Sequence, residues 1–259
     1  MQFPLPFWFF SLRQHYHRRM YRQFRPPVNA TPPTVNVTPP AVTANVTATP
    51  TEVPIEASAT TFDGTGNGNV TITVPLAKGA NLLTFTQETT AESTVSVETE
   101  KDYISVKNTF NEAVSEESMK ATMKDGAYYW SQAFMLEEDA DATVQVETTG
   151  NWTIDFGFPQ QINGIVPQTF TGAANKATPF FQINEGTYNF SIIAANNDVV
   201  GVHLMDFSGN DIQENDREMP LAFHEGAYDD VVTMKINESN NYLFNVICDG
   251  NWTVSVAEA

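Results

Sequence analysis

The chain has little of three things on which many protein classes depend. Its single cysteine, Cys248, excludes an intramolecular disulfide framework and any zinc or iron–sulfur site built from several Cys ligands. No apolar run approaches the roughly 20 residues that a membrane-spanning helix needs. Lys and Arg number 13 against 31 Asp and Glu, and the formal charge of -18 argues against nucleic-acid binding through a general basic surface.

Charge of either sign is also scarce, at 17% of the 259 residues. Much of the polar remainder is Thr, Asn and Ser, a composition that favours strands and turns over long helices. The charges are unevenly placed, because residues 1–51 contain no Asp or Glu. A basic N-terminal segment therefore precedes a strongly acidic body.

Residues 1–27 form a basic, aromatic tail. Leu12, Tyr16, Met20 and Phe24 recur every four residues among Arg and His, which predicts an amphipathic helix for an anionic membrane surface or a partner. The alternative is a disordered tail or a mis-assigned start. The tail is not a secretory signal, because its charges follow the apolar stretch, so export has no visible signal to explain it.

Residues 28–60 form a Pro/Thr-rich linker. Proline fixes φ and removes a donor, so we expect a semi-rigid extended stalk of the type found in glycosylated surface proteins. Several Asn-x-Ser/Thr sequons lie here and in the body. The glycosylation candidates are Asn29, Asn36, Asn45, Asn69, Asn189 and Asn237.

The body is an internal repeat. Gly126-Ala127-Tyr128 returns at 226–228 and Gly150-Asn151-Trp152-Thr153 returns at 250–253, both at an offset of 100. Phe62-x-Gly64 corresponds to Phe170-x-Gly172 at an offset of 108, so the first copy is longer in its first half. This spacing predicts two copies of one domain, at 61–157 and 168–259.

Alternating apolar residues predict strands throughout both copies. Ser115 to Lys124 alone is compatible with a short helix, but its counterpart contains Pro220, so we interpret both segments as strands. The predicted fold class is all-β, with two tandem antiparallel β-sandwich domains of jelly-roll or Ig-like type after an extended N-terminal tail.

Two aromatic sites are singled out. Trp152 and Trp252 follow the repeated Gly-Asn turn and are interpreted as buried anchors, against the alternative of a stacking platform for sugar. Tyr129 and Trp130 belong to the first copy alone, since Asp229 and Asp230 replace them in the second. Exposed neighbouring aromatics would form a ligand-binding site for a sugar or a partner, and loop packing is the simpler alternative.

Oxygen-bearing residues at alternate positions suggest a calcium site at Asp63, Thr65, Asn67 and Asn69. The acidic residue expected at the twelfth position is missing, because Val74 stands there, so a plain turn is the alternative. Asp206 to Asp211 is a second oxygen-rich turn. His203 and His224 have no second ligand at a sequence spacing typical of zinc sites. No nucleophile, zinc or phosphate-loop motif occurs in the sequence, so no cofactor and no catalytic residue are predicted.

The framework residues of the second copy resemble a known module. Glu185-Gly186-x-Tyr188-x-Phe190, Gly226-x-Tyr228 and Asp249-Gly250-Asn251-Trp252-Thr253 resemble tandem β-sandwich modules of secreted and surface proteins of archaea, methanogens especially, and of some bacteria. They are also similar to pre-peptidase C-terminal jelly-roll domains. The resemblance implies an extracytoplasmic accessory module and carries over no catalytic residue.

Three hypotheses about function follow. The first is a non-enzymatic, extracellular or cell-surface protein for structure or adhesion, with a filament or envelope subunit as a variant that assembles with itself or with protein partners. The second is a carbohydrate-binding module that uses Tyr129 and Trp130. The third is an accessory part of a secreted hydrolase, and no sequence motif supports this hypothesis.

Overall fold

The computed structural model describes residues 60–64, 68–111, 114, 119–120, 122–214, 217–218 and 220–259. Residues 54–259 form one compact unit. The predicted tail, most of the linker, and the sequons at Asn29, Asn36 and Asn45 lie outside the described residues. Within the described part, no helix is long and apolar enough to cross a membrane.

The first sandwich consists of two sheets. Sheet A has the strand order β1-β9-β3-β7-β6 and sheet B the order β2-β8-β4-β5. The strands are β1 (Thr60–Gly64), β2 (Gly68–Leu76), β3 (Gly79–Gln87), β4 (Ser93–Glu98), β5 (Tyr103–Asn108), β6 (Met123–Lys124), β7 (Ala127–Leu136), β8 (Ala140–Thr148) and β9 (Trp152–Gly157).

The second sandwich repeats this plan in sheets C and D. Sheet C has the order β10-β13-β20-β15-β18, with β12 also paired to β20, and sheet D has the order β11-β21-β14-β19. Only the β10–β13 pair among the described pairs is parallel. The strands are β10 (Gln161–Ile165), β11 (Gln168–Gly172), β12 (Lys176–Ala177), β13 (Phe180–Ile183), β14 (Gly186–Ala195), β15 (Val199–Asp206), the hairpin β16 (Gln213–Glu214) and β17 (Arg217–Glu218), β18 (Ala222–Glu225), β19 (Tyr228–Ile236), β20 (Asn240–Cys248) and β21 (Asn251–Glu258).

The repeated motifs form the same contact in both copies. Gly64 pairs with Trp152 and Gly172 pairs with Trp252 across neighbouring strands. A Cβ atom at either glycine would overlap the opposite indole ring, so the Phe-x-Gly motif makes room for the Trp of the Gly-Asn-Trp motif. Trp152 and Trp252 are 4% and 3% exposed, which confirms them as buried anchors.

Each sandwich has its own apolar core between its two sheets. Inward-facing side chains alternate with outward-facing polar ones, as in β8, whose Ala142, Val144 and Val146 are buried. Phe85 in the first core packs on Trp130 and Trp152 with ring centroids 5.2 and 5.8 Å apart. In the second core, Phe244 packs on Phe181 and Phe190. The predicted all-β fold is confirmed.

One local prediction is wrong in the first copy. Among the described residues of the segment 115–124, Met119 and Lys120 are helical, and the strand is Met123–Lys124, in a hairpin with β7. In the second copy the corresponding β18 crosses to sheet C and pairs with β15. In the first copy, β4 corresponds to β15, and the edge beside β4 is occupied by β5, which forms a hairpin with β4. Pro220 therefore excluded a helix in its own copy but carried no information about the other.

Candidate functional site

The two sandwiches meet at an apolar junction. The junction buries Ala80 and Ala133 of sheet A against four residues at the second sandwich's surface. Those four are Ala177, Phe180, Met205 and Leu243. Leu82, Phe158 and Phe207 pack around them, with the Phe158 and Phe180 ring centroids 5.7 Å apart. Burial of several aromatic and aliphatic side chains between the sandwiches favours one rigid body over two hinged ones.

The edge of β7 is closed by hydrogen bonds at this junction. The Ser131 amide donates to the Asn175 carbonyl at 3.1 Å. The Asn245 side chain accepts from the Ala133 amide at 3.0 Å and donates to the Ala133 carbonyl at 2.8 Å. A side-chain amide thus takes the place of a neighbouring strand, and these buried main-chain groups keep their partners.

Asn175 and Asp249 brace the junction from the second sandwich. The Asn175 side chain donates to the Lys107 carbonyl at 2.9 Å and accepts from the Cys248 amide at 3.0 Å, so it bonds to both sandwiches. The Asp249 carboxylate accepts from the Asp198 and Val199 amides, while its carbonyl accepts from the Asn111 amide at 2.9 Å. Each residue is at least nine-tenths buried, which makes its hydrogen bonds costly to break.

Tyr129 lies at the rim of the junction. Its ring is half-buried, and Lys176 Nζ lies 3.2 Å from its hydroxyl and 5.5 Å from the ring centroid. The crevice beside it, lined partly by Thr122, Gly172 and Asn175, has a volume of about 10 Å³. That volume admits a water molecule but not a sugar ring.

Trp130 does not fit the proposed binding pair. It is 0% exposed, its Nε1 donates to Ser93 Oγ at 2.9 Å, and its ring lies against Phe85. Tyr129 and Trp130 alternate on β7 and therefore point to opposite faces of sheet A. The expectation of two exposed neighbouring rings is wrong for Trp130, because strand alternation turns its ring into the core.

The residues proposed for calcium are only partly described. Thr65 and Asn67 lie outside the described residues, as does the side chain of Asn69. The Asp63 carboxylate accepts a hydrogen bond from Thr153 Oγ1 at 2.8 Å across the β1–β9 pair. In the described ranges, no three His, Cys, Asp or Glu side chains are placed to hold a metal ion. The calcium site stays a prediction.

The second oxygen-rich turn is held by its own side chains. The Asp206 carboxylate accepts from the Ser208 and Asn210 amides, both at 2.9 Å. His203 Nδ1 lies 3.1 Å from Asp211 Oδ2, and this pair ties the end of the turn to β15. Hydrogen bonds of this kind favour a structural turn over a metal loop.

Beside that turn lies a polar recess of about 160 Å³, lined by Asp206, Lys235, Glu238 and Tyr242 among others. The Tyr242 hydroxyl donates to the Glu238 carbonyl at 2.7 Å. Burial, followed by the charges of Glu238 and Asp206, raises the pKa of Tyr242 to about 12. Tyr242 is therefore a neutral hydrogen-bond donor at physiological pH.

The described glycosylation candidates differ in access. Asn237 is exposed in the turn between β19 and β20. Asn189 is half-buried within β14, and its Oδ1 accepts from Thr233 Oγ1 at 2.6 Å.

Sequence reasoning missed the role of Asn175, Asn245 and Asp249 at the junction, although Asp249 belongs to the framework motif of the second copy. The available signal was the difference between the copies: Thr149 stands at the position of Asp249, and Gln145 at that of Asn245. Such departures mark the residues that one copy needs for contact with the other.

Comparisons with known proteins do not identify a family. No protein-family model matches the chain, and no curated protein matches it. The resemblance to archaeal surface modules and pre-peptidase C-terminal domains therefore stays an interpretation of the framework residues.

Among solved structures, the chain is similar to the PBSX exported protein XepA, with 9% identity, 77% of this chain and 86% of that chain covered, and a TM-score of 0.26. A protein of Parabacteroides distasonis described as secreted has 9% identity, coverages of 77% and 88% and a TM-score of 0.21. The plant receptor-like kinase FER has 6% identity, coverages of 80% and 90% and a TM-score of 0.23. At these TM-scores the likeness carries no argument about function.

Proposed function

We propose that the chain is a non-enzymatic structural or adhesion protein of the cell surface or the extracellular space. Its role in this proposal is to hold a rigid double sandwich at a distance from an attachment point. The observation that carries the proposal is the junction, where an apolar cluster and the Asn175 and Asn245 hydrogen bonds join two repeats into one body.

Two features of the sequence support this role. The Pro/Thr-rich segment 28–60 suits a spacer between the basic tail and the acidic body. The outward faces of sheets B and D carry mainly Thr, Ser, Asn and Gln at their described positions, as at Gln145 and Ser255. Polar faces of this kind suit contact with water and glycans rather than burial in a lipid bilayer.

The location is tested by surface labelling of the cells that make the protein. A membrane-impermeant amine reagent applied to intact cells reaches exposed lysines of the body, such as Lys78 and Lys101. We expect equal labelling of the protein in intact and lysed cells, with a cytoplasmic protein labelled only after lysis. Labelling of this chain only after lysis would contradict the proposal.

Glycan attachment is a finer part of the proposal. Peptide mass spectrometry of protein from its native source reads the occupancy of each sequon. Among the described sequons of the candidate set, we expect Asn237 to be occupied before Asn189, because Asn237 is exposed and Asn189 is engaged with Thr233. Occupancy of Asn189 with Asn237 empty would contradict this order.

A further inference from the structure

Strand β19 is a long open edge in the described part of the molecule. It has nine residues, Tyr228–Ile236, and pairs along its length with β14 alone. Its counterpart in the first copy is β7, whose edge is closed at Tyr129, Ser131 and Ala133 by bonds to Thr122, Asn175 and Asn245. A strand edge of this length is a template for pairing with another chain.

The main-chain groups that face this open edge can be identified. The Val231 amide donates to the carboxylate of Asp230 at 2.7 Å, so it points away from β14. Main-chain groups alternate in direction along a strand, so those of Asp229, Thr233 and Lys235 face the same way. Four consecutive outward positions are therefore available for pairing.

The core side of β19 is also less covered than that of β7. Gln132 and Phe134 in β7 are each 5% exposed. Their counterparts Val232 and Met234 are only half-buried. A strand added beside β19 would cover these two apolar side chains.

The charges along β19 are arranged for a second copy of the same strand. Asp229 and Lys235 are both exposed on the outer face of sheet D, and each lies three residues from Val232. In an antiparallel pair centred on Val232, Asp229 of each copy lies opposite Lys235 of the other. Val231 then lies opposite Thr233, and the two Val232 side chains face each other. Opposite charges directly across an antiparallel pair are stabilising, and like charges are destabilising.

We propose that β19 is a homodimerisation edge, at which two copies of the chain join their D sheets into one continuous eight-stranded sheet about a twofold axis through Val232. The contact is isologous, so assembly through it closes at two copies rather than growing into a fibre. On pairing, the Val231 amide exchanges the Asp230 carboxylate for a main-chain carbonyl of the second copy. This inference is independent of where the protein resides.

The first test is sedimentation velocity of the full chain over a range of micromolar concentrations at physiological salt. We expect a concentration-dependent dimer, and we expect Val231→Pro to abolish it. Proline at this position removes an amide that no neighbouring strand uses, so the thermal unfolding midpoint serves as the check that the variant is folded. A wild-type chain that is monomeric throughout, or a dimer that persists in folded Val231→Pro, would overturn the proposal.

The second test fixes the register by exchanging charges. Asp229→Lys and Lys235→Asp each place two like-charged pairs across the twofold axis, so each is expected to weaken dimerisation by about tenfold. The double variant restores opposite charges and is expected to return to within about threefold of the wild type. Single variants without effect, or a double variant no tighter than the singles, would overturn this arrangement.

Discussion

The two copies share their cores and differ in their outward faces. The first four strands of sheet A and the four strands of sheet D have corresponding orders, yet sheet A presents Ala80 and Ala133 outward where sheet D presents Thr187 and Thr233. For sheets B and C the difference is reversed, because the second copy has the apolar outward residues and the first copy has the polar ones. The junction positions Phe180, Met205 and Leu243 of sheet C correspond to Thr73, Glu98 and Thr143 of sheet B.

This difference teaches what decides which sheets of two similar sandwiches pack together. Unlike sheets meet at the junction, so the contact is heterologous and could in principle continue from copy to copy. The outward faces of sheets B and D carry polar side chains at the positions that are apolar at the junction, so they do not match this contact. The core pattern defines each sandwich, and a few outward substitutions decide which sandwich packs on which.

The largest expected effect comes from Phe180→Ala, which removes the largest fully buried side chain of the junction. Phe180 is 0% exposed and packs on Phe158 and Phe207. Truncation of a buried phenylalanine to alanine costs about 3–5 kcal/mol, so the free energy of unfolding measured in urea should fall by that amount. The matched control is Thr73→Ala at the exposed counterpart position, expected within about 0.5 kcal/mol of wild type. Equal losses in the two variants would mean that the faces do not differ as described.

The next largest effect concerns the Gly–Trp contact that both copies share. Gly64→Ala and Gly172→Ala each drive a methyl group into the paired Trp ring, and overpacking of this kind costs about 1–3 kcal/mol. Because the contact is the same in both copies, the two losses of unfolding free energy should agree. Gly157→Ala is the control, since a Cβ at Gly157 meets no atom within 4 Å. A cost in one copy alone would show that the repeated motif has different roles in the two copies.

Asn245→Ala tests the polar part of the junction. It leaves the amide and the carbonyl of Ala133 without their partner, which costs about 1–3 kcal/mol. Gln145→Ala is the control, because Gln145 is exposed at the same position of sheet B. The measurement is the denaturant midpoint together with amide hydrogen exchange at Ala133. Unchanged protection of that amide would rule out the proposed bond.

The all-β fold was predictable from sequence because strand alternation is a local rule, and alternation located the core-facing residues. The offsets of 100 and 108 predict two copies of one domain. The junction was not predictable in the same way, because alternation says which residues share a face but not what that face packs against. Trp130 and Tyr129 show this limit of sequence prediction within one strand. Alternation places the two rings on opposite faces, but the tertiary fold decides that Tyr129 lies at the rim of the junction and what each ring contacts. The helical Met119–Lys120 shows that the two copies also diverge where edge strands pair differently.

The smallest effect concerns Cys248, whose counterpart in the first copy is Thr148. Burial raises the pKa of the Cys248 thiol from 9.0 to about 12, and a hydrogen bond with the Gly250 main chain opposes the shift only in part. The folded chain therefore keeps its thiol proton where the unfolded chain loses it, so this stability is fully present below pH 9 and is lost as pH rises toward 12. The free energy of unfolding should fall by about 1 kcal/mol between pH 8 and pH 10 for this group alone.

Cys248→Thr installs the residue of the first copy and removes the titration. Its unfolding free energy should decline less steeply between pH 8 and pH 10 than that of the wild type, as measured by urea titrations at both values. Tyr242, whose pKa is also about 12 against an ordinary 10.0, retains its own contribution above pH 10 in both proteins. Identical declines in the two proteins would mean that Cys248 is not the group that distinguishes the second core from the first at alkaline pH. A reduced decline would assign that difference between the copies to one buried thiol.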